Sequence, residues 1–308
     1  MNVLVTGGTG FIGSHLVKNL CEKGHKVIVM STNGIVPGHL TNSHFKIAEG
    51  DFSDEALLER VLPDIDTVVH LAWSSVPSTS IGEIETEIFK NVSGTIKLLN
   101  KCVQYNIKKF IFISSGGTVY GIPRMTPINE EHPLDPISSY GVTKVAIEKY
   151  LHLYNKLFGL DYLIFRVSNA YGEHQNLVKG QGVLGIWLNK IASGKPLEIW
   201  GDGNLVRDYI CVDDVAEVIA TAISMKFQKK VYNLGSGEGV SLNEIVKLIK
   251  DNVSDQFILS YHEGRNIDVP VNILDIGLLR SEINYLPSVS LESGIIKIWN
   301  WIKDRENG

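Results

Sequence analysis

The sequence predicts an α/β fold built on a doubly wound parallel sheet. Along the first half of the chain, short apolar runs typical of buried strands alternate with amphipathic stretches typical of helices. Residues 109–114 (KFIFIS) are almost entirely apolar, as expected for a strand that is buried on both faces. A glycine-rich turn joins the first strand to the first helix, as it does in sheets of this kind.

The first turn carries three glycines spaced three residues apart, within residues 3–16 (VLVTGGTGFIGSHL). We expect Gly7 to form the turn, Gly10 to let the backbone approach a pyrophosphate, and Gly13 to let the helix pack on the strand. The helix N-terminus at Phe11 and Ile12 then presents free N–H groups to the phosphates. The turn therefore predicts a Rossmann-type site for a dinucleotide, although an ordinary βα turn has a similar pattern.

Composition limits the other function classes. The chain has 308 residues, enough for one large α/β domain or two modest ones, and its net charge of −5 argues against a nucleic-acid binder. No apolar run is long enough for a membrane span, and we expect neither a signal peptide nor a membrane partner. Three scattered cysteines favour free thiols in a reducing cytoplasm, and the His residues lack metal-ligand spacing, so no metal site is expected.

The end of the second strand (26–30) leaves the choice of dinucleotide open. In folds of this kind an acidic residue usually binds the ribose hydroxyls there, but this chain has Ser31. A serine would tolerate the 2′-phosphate of NADP, yet no Arg lies nearby in the sequence to favour that phosphate. The expected cofactor is therefore NAD or NADP. Asp51, which follows a strand at 45–50, is expected either to meet the adenine or to cap a helix at 53–62.

Two further patterns concern the centre of the site. Asn91 lies on the inner side of a long helix predicted at 84–105, where its amide is expected to hold cofactor or backbone. Tyr140 and Lys144 are four residues apart and therefore share one face of a helix. A neighbouring ammonium stabilises a phenolate, so we expect Lys144 to lower the pKa of Tyr140.

With these patterns in this order, the chain resembles extended short-chain dehydrogenases/reductases of the nucleotide-sugar epimerase/dehydratase group, UDP-glucose 4-epimerases among them. The resemblance covers essentially the whole chain. It rests on residues 6–13 (TGGTGFIG), 70–72 (HLA), Asn91, 114–121 (SSGGTVYG), Tyr140 with Lys144, 166–175 (RVSNAYGEHQ), 201–215 (GDGNLVRDYICVDDV) and 232–237 (YNLGSG).

The resemblance implies roles for individual residues. Tyr140 is the acid/base that exchanges a proton with a sugar hydroxyl, and Lys144 holds the nicotinamide ribose and the phenolate. A third hydroxyl normally comes from a position occupied here by Gly116; Thr118 is our preferred replacement and Ser115 the other candidate. The cofactor site is completed by Phe52, Leu71, Ala72 and Ser114, besides the residues named above.

For the nucleotide sugar, the resemblance implies that Asn169, Arg207 and Arg265 hold the diphosphate, because arginine forks suit phosphate oxygens. Val183 flanks the base. Asn272 lies beside C2 of the sugar and leaves room for an N-acetyl group without requiring one.

The implied organisation is an NAD(P)-binding Rossmann domain at 1–170, with a segment near 205–230 crossing back, and a smaller α/β substrate-binding domain mainly at 171–308. The helices that start near Ile84 and Ser139 are those used for homodimers in such enzymes. A last helix is predicted at 290–302 with Ile296, Trp299 and Ile302 inward, followed by a frayed tail at 303–308.

Our leading hypothesis is a nucleotide-sugar 4-epimerase acting on a UDP-hexose or UDP-N-acetylhexosamine by transient oxidation at C4, with a role in polysaccharide precursors. The alternative is an NAD(P)H-dependent reductase of a nucleotide-4-keto-6-deoxy sugar, which Ser31 favours because an epimerase gains from a firm grip on its cofactor. A 4,6-dehydratase is disfavoured because Gly117 and Thr118 stand where its acidic pair belongs. A non-catalytic regulator would lack Tyr140 or Lys144, and both are present.

Overall fold

The computed structural model describes residues 1–75, 84–177, 182–264 and 269–307, with the backbone alone for 306 and 307. Its largest element is a seven-stranded sheet in which all neighbouring strands are parallel. The strands are β1 (Asn2–Thr6), β2 (Lys26–Ser31), β3 (Phe45–Glu49), β4 (Thr67–His70), β5 (Lys109–Ser115), β6 (Tyr162–Val167) and β10 (Val231–Leu234). Their order in space is β10-β6-β5-β4-β1-β2-β3. The predicted Rossmann-type sheet is confirmed.

Helices cover both faces of this sheet. Those that follow the first strands are α1 (Phe11–Glu22), α2 (Glu55–Val61), α3 (Ile84–Glu87), α4 (Gly94–Gln104) and α5 (Ser139–Phe158). The helices of the second half are α6 (Val183–Ala192), α7 (Val212–Ser224), α8 (Leu242–Asn252), α9 (Gly277–Ile283) and α10 (Leu291–Asn307). Apolar side chains of α1 and α7 form one core with the sheet, and those of α2, α4 and α5 form the core on the opposite face.

The second half of the chain adds two smaller sheets. Their strands are β7 (Asn169–Tyr171), β8 (Leu197–Trp200), β9 (Val206–Cys211), β11 (Gly239–Ser241), β12 (Leu259–His262) and β13 (Val271–Asn272). β9 pairs with β7, β11 and β13, whereas β8 pairs with β12. A third core lies between these strands and α6, α8 and α10. The chain returns to the large sheet through α7 and β10.

Two predicted helices have different boundaries. The helix expected at 53–62 begins at Glu55, because Asp54 caps it by accepting a hydrogen bond from the Leu57 N–H at 3.1 Å. The helix expected at 84–105 is continuous but changes type, since Ile88–Ser93 forms a π-helix between α3 and α4. A π segment inside a helix frequently marks a functional site.

The last helix corrects the predicted inward face and tail. Ile295, Ile298 and Ile302 are buried, whereas Ile296 is 36% exposed, so the prediction for Ile296 is wrong. Trp299 packs against the same core, as predicted. The helix runs on to Asn307 instead of fraying at residue 303. Within the ranges given above, no helix is both long and apolar enough to cross a membrane.

Candidate active site

A groove follows the carboxyl ends of the parallel strands, where α/β proteins of this type bind their ligands. It consists of a first cavity of about 540 Å³, a central cavity of about 780 Å³ and a small cavity of about 210 Å³. Gly10 and Trp73 line both the first and the central cavity. Asn169 and Arg207 line both the central and the small cavity. The three cavities are therefore parts of one continuous site.

The glycine turn lies where the first and central cavities meet. Gly7 has a φ of +72°, and a Cβ there would lie 2.8 Å from the Ala72 backbone nitrogen, so a side chain is excluded. A Cβ on Gly13 would lie 2.2 Å from the Gly7 carbonyl oxygen. Gly10 is the N-cap of α1 and provides no capping side chain, which leaves first-turn N–H groups for an anion. Phe11 and Ile12 line the central cavity beside it.

Ser31 lines the first cavity at the end of β2, together with Thr32. Its Oγ donates to Asn33 Oδ1 at 3.1 Å and lies 2.9 Å from Thr9 Oγ1. Because the Ser31 proton is used toward Asn33, Thr9 is the donor to Ser31. This end of the groove is thus lined by the hydroxyl groups of Thr9 and Ser31, with no carboxylate at position 31.

Asp51 and Phe52 form the outer wall of the first cavity. The Asp51 carboxylate accepts from the Ser53 N–H at 2.8 Å and from Ser53 Oγ at 2.6 Å. Of the two roles expected for Asp51, helix capping belongs to Asp54 instead. Phe52 is buried and packs edge-on against His70.

His70, at the end of β4, organises the floor of the groove. The Thr95 hydroxyl donates to the Asn91 carbonyl at 2.6 Å, so it accepts from His70 Nε2 at 3.0 Å. His70 Nδ1 then accepts from the Thr6 hydroxyl at 2.7 Å. The imidazole is therefore neutral with its proton on Nε2, and burial, with a smaller contribution from Lys144, lowers the pKa of His70 to about 3.

Asn91 holds the loop after β4. Its Oδ1 accepts from the Ser74 N–H at 3.0 Å and the Ser74 hydroxyl at 3.1 Å, while its Nδ2 donates to Glu87 at 3.2 Å. Asn91 is completely buried and does not line the three cavities, which corrects its predicted place among the cofactor contacts. Of the two roles expected, it performs the backbone one. Leu71 and Ala72, by contrast, do line the first cavity.

Tyr140 and Lys144 lie on α5 and line the central cavity together. Lys144 is 3% exposed, and its Nζ donates to the Ile113 carbonyl at 2.8 Å. The same Nζ lies 5.5 Å from the centre of the Tyr140 ring and 3.7 Å from that of Trp73. The predicted pair thus shares one helix face and opens on the groove.

The pKa values of the pair are set by burial. Burial lowers the pKa of Lys144 to about 7, although the charges of Glu148 and Glu87 raise it. Burial, and after it the charge of Glu87, raises the pKa of Tyr140 above its ordinary value. The net shift of the Tyr140 pKa is therefore opposite in direction to the lowering that we expected from Lys144, because burial disfavours the phenolate.

The hydroxyls after β5 differ in their surroundings. Ser114 is buried and donates to Glu148 Oε1 at 2.5 Å. Ser114, Ser115 and Thr118 all line the central cavity. Thr118 Oγ1 is buried and finds no hydrogen-bond partner among the described residues. The backbone carbonyl of Thr118 lies close to Gly141, the residue after Tyr140.

The structure gives a steric reason for Gly116. A Cβ there would lie 2.5 Å from Leu274 Cδ1 and 3.1 Å from the Arg166 carbonyl oxygen. A serine or threonine at this position would therefore displace Leu274, which is fully buried. The hydroxyl that the resemblance places here must come from elsewhere on the same loop.

Asn169 and Arg207 stand at the other end of the groove. Asn169 Nδ2 donates to the Asp208 carbonyl at 2.9 Å, and Arg207 Nη1 donates to its neighbour Val206 at 2.9 Å. Val183, at the start of α6, lines the small cavity with them. These three residues therefore line the same small cavity.

Two substrate residues expected from the resemblance remain, Arg265 and Asn272. Arg265 lies outside the described residues. Asn272 is 1% exposed on β13 and donates to the Gly116 carbonyl at 3.2 Å, so it lies beneath the loop after β5 and does not line the cavities. This corrects its predicted position beside the sugar.

Residues 3–235 match the model of the NAD-dependent epimerase/dehydratase family. The chain belongs to this family. Among its relatives are a putative UDP-glucose 4-epimerase of Methanocaldococcus jannaschii, 36% identical over 98% of both chains, and a dTDP-4-dehydro-6-deoxyglucose reductase of Escherichia coli, 30% identical over 96% of both. The Thermotoga maritima UDP-glucose 4-epimerase, solved with UDP-glucose, is 34% identical; its TM-score is 0.94, with 99% of this chain and all of that one covered.

The residues of this family member fit the dinucleotide that the family name specifies. The Gly7 and Gly13 positions have no room for a Cβ, the first turn of α1 lacks a capping side chain, and Thr118 keeps a buried hydroxyl without a partner among the described residues. In the described part of the chain, no three His, Cys, Asp or Glu side chains are grouped as ligands for a metal ion.

Sequence reasoning missed three residues of this family member's groove. Trp73 lines two cavities and contacts Tyr140 and Lys144, Glu87 is a buried carboxylate beside these two residues, and Tyr209 lines the small cavity. A tryptophan directly after the strand motif 70–72 was the available signal for the first. Glu87 and Tyr209 read as ordinary helix and strand residues without the tertiary structure.

Proposed function

We propose that the protein is a nucleotide-sugar 4-epimerase that acts on a UDP-hexose or UDP-N-acetylhexosamine and uses NAD. One observation carries the proposal. The Tyr140–Lys144 pair lies in a central cavity that is continuous on one side with the glycine turn and on the other with Asn169 and Arg207. A sugar joined to a diphosphate would reach the pair from the Asn169 side, while a dinucleotide would reach it from the glycine side.

In this proposal Tyr140 removes the proton from the C4 hydroxyl and later returns it. A dinucleotide held at the glycine turn would supply reversible hydride transfer at C4, so that the hydrogen can return to the opposite face of the sugar. Lys144 supplies an N–H to the ribose and stabilises the phenolate. Thr118, with Ser115 as the other candidate, donates a hydrogen bond to O4, which its unpartnered buried hydroxyl supports.

Before ligands bind, Lys144 has a pKa of about 7 and is therefore partly protonated near neutral pH, whereas Tyr140, whose pKa is raised by burial, is unionised. Any cationic ligand group beside the phenol would favour its ionisation, because opposite charge stabilises phenolate in a dry cavity. Glu87 opposes that change from the neighbouring helix. The proton therefore leaves the C4 hydroxyl most readily when the cavity is filled.

The substrate end is assigned by chemistry. Arg207 and Arg265 would pair with the diphosphate, and Val183 would flank the base. Asn169 on β7, whose Nδ2 donates to the Asp208 carbonyl of β9, would also hold the diphosphate. Because Asn272 is buried, it does not limit the space beside C2 of the sugar. Both plain and N-acetylated hexoses are therefore to be tested.

The second candidate is reduction of a nucleotide-4-keto-6-deoxy sugar with release of NAD(P). The absence of a carboxylate at Ser31 favours it, since a hydroxyl accepts NADP as well as NAD and holds the ribose less firmly. The same Tyr140 would act as the acid. The E. coli relative shows that the family includes such reductases.

One incubation series separates the two candidates. The purified protein is mixed with UDP-glucose, UDP-GlcNAc or dTDP-4-keto-6-deoxyglucose, with and without NAD(P)H, and the bound nucleotide is released and identified. Interconversion at C4 without net cofactor consumption supports the epimerase. NAD(P)H oxidation that occurs only with the keto sugar refutes it.

Substitution of the acid/base tests the mechanism in either case. Tyr140→Phe should lower kcat at least ~100-fold, because positioned acid–base groups contribute about that much or more. Tyr150→Phe, on the same helix but away from the cavity, is the matched control and should retain activity. Full activity of Tyr140→Phe would eliminate both candidate reactions.

We further propose that residues 1–170, with the return near 205–230, form the NAD(P)-binding domain and that 171–308 mainly bind the sugar nucleotide. The active form would be a homodimer. Exposed apolar side chains on α3, its π segment and α5 support that proposal: Ile84, Ile88, Phe89, Val142, Leu153 and Leu157. Light scattering of Phe89→Glu, which would be monomeric, against the wild type tests it.

A further inference from the structure

Trp73 occupies the boundary between the first and the central cavity. Its indole ring lies 3.7 Å from Lys144 Nζ, and its centroid lies 6.2 Å from that of Tyr140 in an edge-on arrangement. Phe112 supports the ring from the sheet at 5.9 Å, and its own ring lies 4.8 Å from the same Nζ. Trp73 thus touches the catalytic pair although it lies on the loop after β4.

Neighbouring groups occupy two of the three directions in which Lys144 Nζ can donate a hydrogen bond. An ammonium has three N–H groups. One is directed at the Ile113 carbonyl at 2.8 Å, and the face of Trp73 covers a second side. A lysine side chain has four rotatable bonds and no fixed geometry of its own. Its position in the groove must therefore come from its neighbours.

We propose that Trp73 is a positioning residue, which holds the Lys144 ammonium between the indole face and the Ile113 carbonyl so that the remaining N–H faces the central cavity. The role of that N–H toward substrate or cofactor rests on the proposed function. The contact itself concerns the protein alone. Loss of the indole face would remove the nearest aromatic contact of Lys144 Nζ and leave the Ile113 carbonyl and the more distant Phe112 ring.

The charges around Lys144 predict the direction of the effect. Glu87 from α3 and Glu148 from α5 favour the ammonium, while His70 from β4 is neutral and Tyr140 is protonated. The Trp73 face also favours the ammonium, because a ring quadrupole attracts cations. Removing it should lower the pKa of Lys144 by about 0.5 to 1.5 pH units, given the usual strength of a desolvated cation–π contact.

Two substitutions separate positioning from simple space filling. Trp73→Phe keeps an aromatic face, whereas Trp73→Leu fills much of the volume without one. If Lys144 must be protonated to act, the high-pH limb of the activity profile should move to lower pH by about 0.5 to 1.5 units in Trp73→Leu and stay near the wild type in Trp73→Phe. An unchanged profile in Trp73→Leu would overturn the proposal.

A second measurement needs neither substrate nor cofactor. The emission of Trp73 is obtained as the difference between the wild type and Trp73→Phe, and it should change with a midpoint near pH 7, where Lys144 titrates. The transition should vanish in Lys144→Met. Trp187→Phe, which removes a tryptophan buried among apolar residues of the third core, should retain it.

The two measurements fail in different ways. A fluorescence transition that depends on Lys144, in a protein without epimerase activity, would support the contact and refute the proposed function. Epimerase activity without any Lys144-dependent transition would refute the positioning role and leave the function standing.

Discussion

Arg166 and Glu148 form a buried ion pair that joins α5 to the large sheet. Arg166 on β6 donates to Glu148 through Nε at 3.1 and 3.2 Å and through Nη2 at 2.6 Å. Its Nη1 donates to the Tyr120 hydroxyl at 2.9 Å and to the Glu130 carbonyl at 3.0 Å. Both charged side chains are about 95% buried. Because α5 also carries Tyr140 and Lys144, the Arg166–Glu148 ion pair helps to hold these two residues in the site.

Arg166→Met should therefore be strongly destabilising. It leaves the Glu148 carboxylate buried with the Ser114 hydroxyl as its remaining hydrogen-bond donor from the network. Breaking a buried pair in this way costs about 3–5 kcal/mol, a large part of the ~5–15 kcal/mol that stabilises a typical protein. Activity should fall with stability, because α5 loses its attachment to β6.

The cost arises from the unpaired charge, and a double variant tests that origin. Arg166→Met with Glu148→Leu removes both charges, so it should cost less than the sum of the two single changes by at least ~1 kcal/mol. Lys23→Met, which breaks the exposed pair with Glu217, is the matched control and should cost under about 1 kcal/mol.

Urea unfolding followed by circular dichroism gives the free energies from the midpoint and slope. Additive effects of Arg166→Met and Glu148→Leu, or a cost of Arg166→Met as small as that of Lys23→Met, would show that this pair is not the stabilising contact that its geometry indicates.

Two further predictions concern the glycine turn and pH. Gly13→Ala, whose Cβ would meet the Gly7 carbonyl at 2.2 Å, should abolish NAD binding by calorimetry, whereas Gly38→Ala, with open space and no positive φ, should bind normally. His70 has its pKa lowered to about 3, so the unfolded chain takes up its proton first as pH falls below about 6.5. As pH falls from 6 to 4, this group should therefore lower the free energy of unfolding by about 1.4 kcal/mol per pH unit. In His70→Gln, the free energy of unfolding measured with urea should decrease less steeply with falling pH. NAD binding by Gly13→Ala as tight as by the wild type, or a pH dependence of stability in His70→Gln equal to that of the wild type, would contradict these predictions.

Local sequence patterns were sufficient for the framework of the site. The alternation of strands and helices predicted the large sheet, and the spacing of Gly7, Gly10 and Gly13 predicted the turn at the edge of the groove. The four-residue spacing of Tyr140 and Lys144 placed them on one helix face. These features depend on backbone geometry within a few residues, and such geometry is encoded locally.

Tertiary packing decided how the side chains are used. Leu274, from the far end of the chain, excludes a side chain at Gly116, and Asn91 binds the loop at Ser74 instead of lining a cavity. Packing also selected Ile295 over Ile296 as an inward residue of α10. Each outcome depends on contacts with residues that are distant in sequence, and a local hydrophobic pattern carries no information about such contacts.

Tyr140 and Lys144 illustrate both contributions. Sequence alone determined that Tyr140 and Lys144 would be neighbours, because an α-helix brings residues four apart onto one face. Only the folded chain decided their charge states and the contact with Trp73, since burial sets the pKa of each group and the loop after β4 must be brought over α5. The physical reason is that desolvation depends on everything that surrounds a group, whereas helical spacing depends on the chain itself.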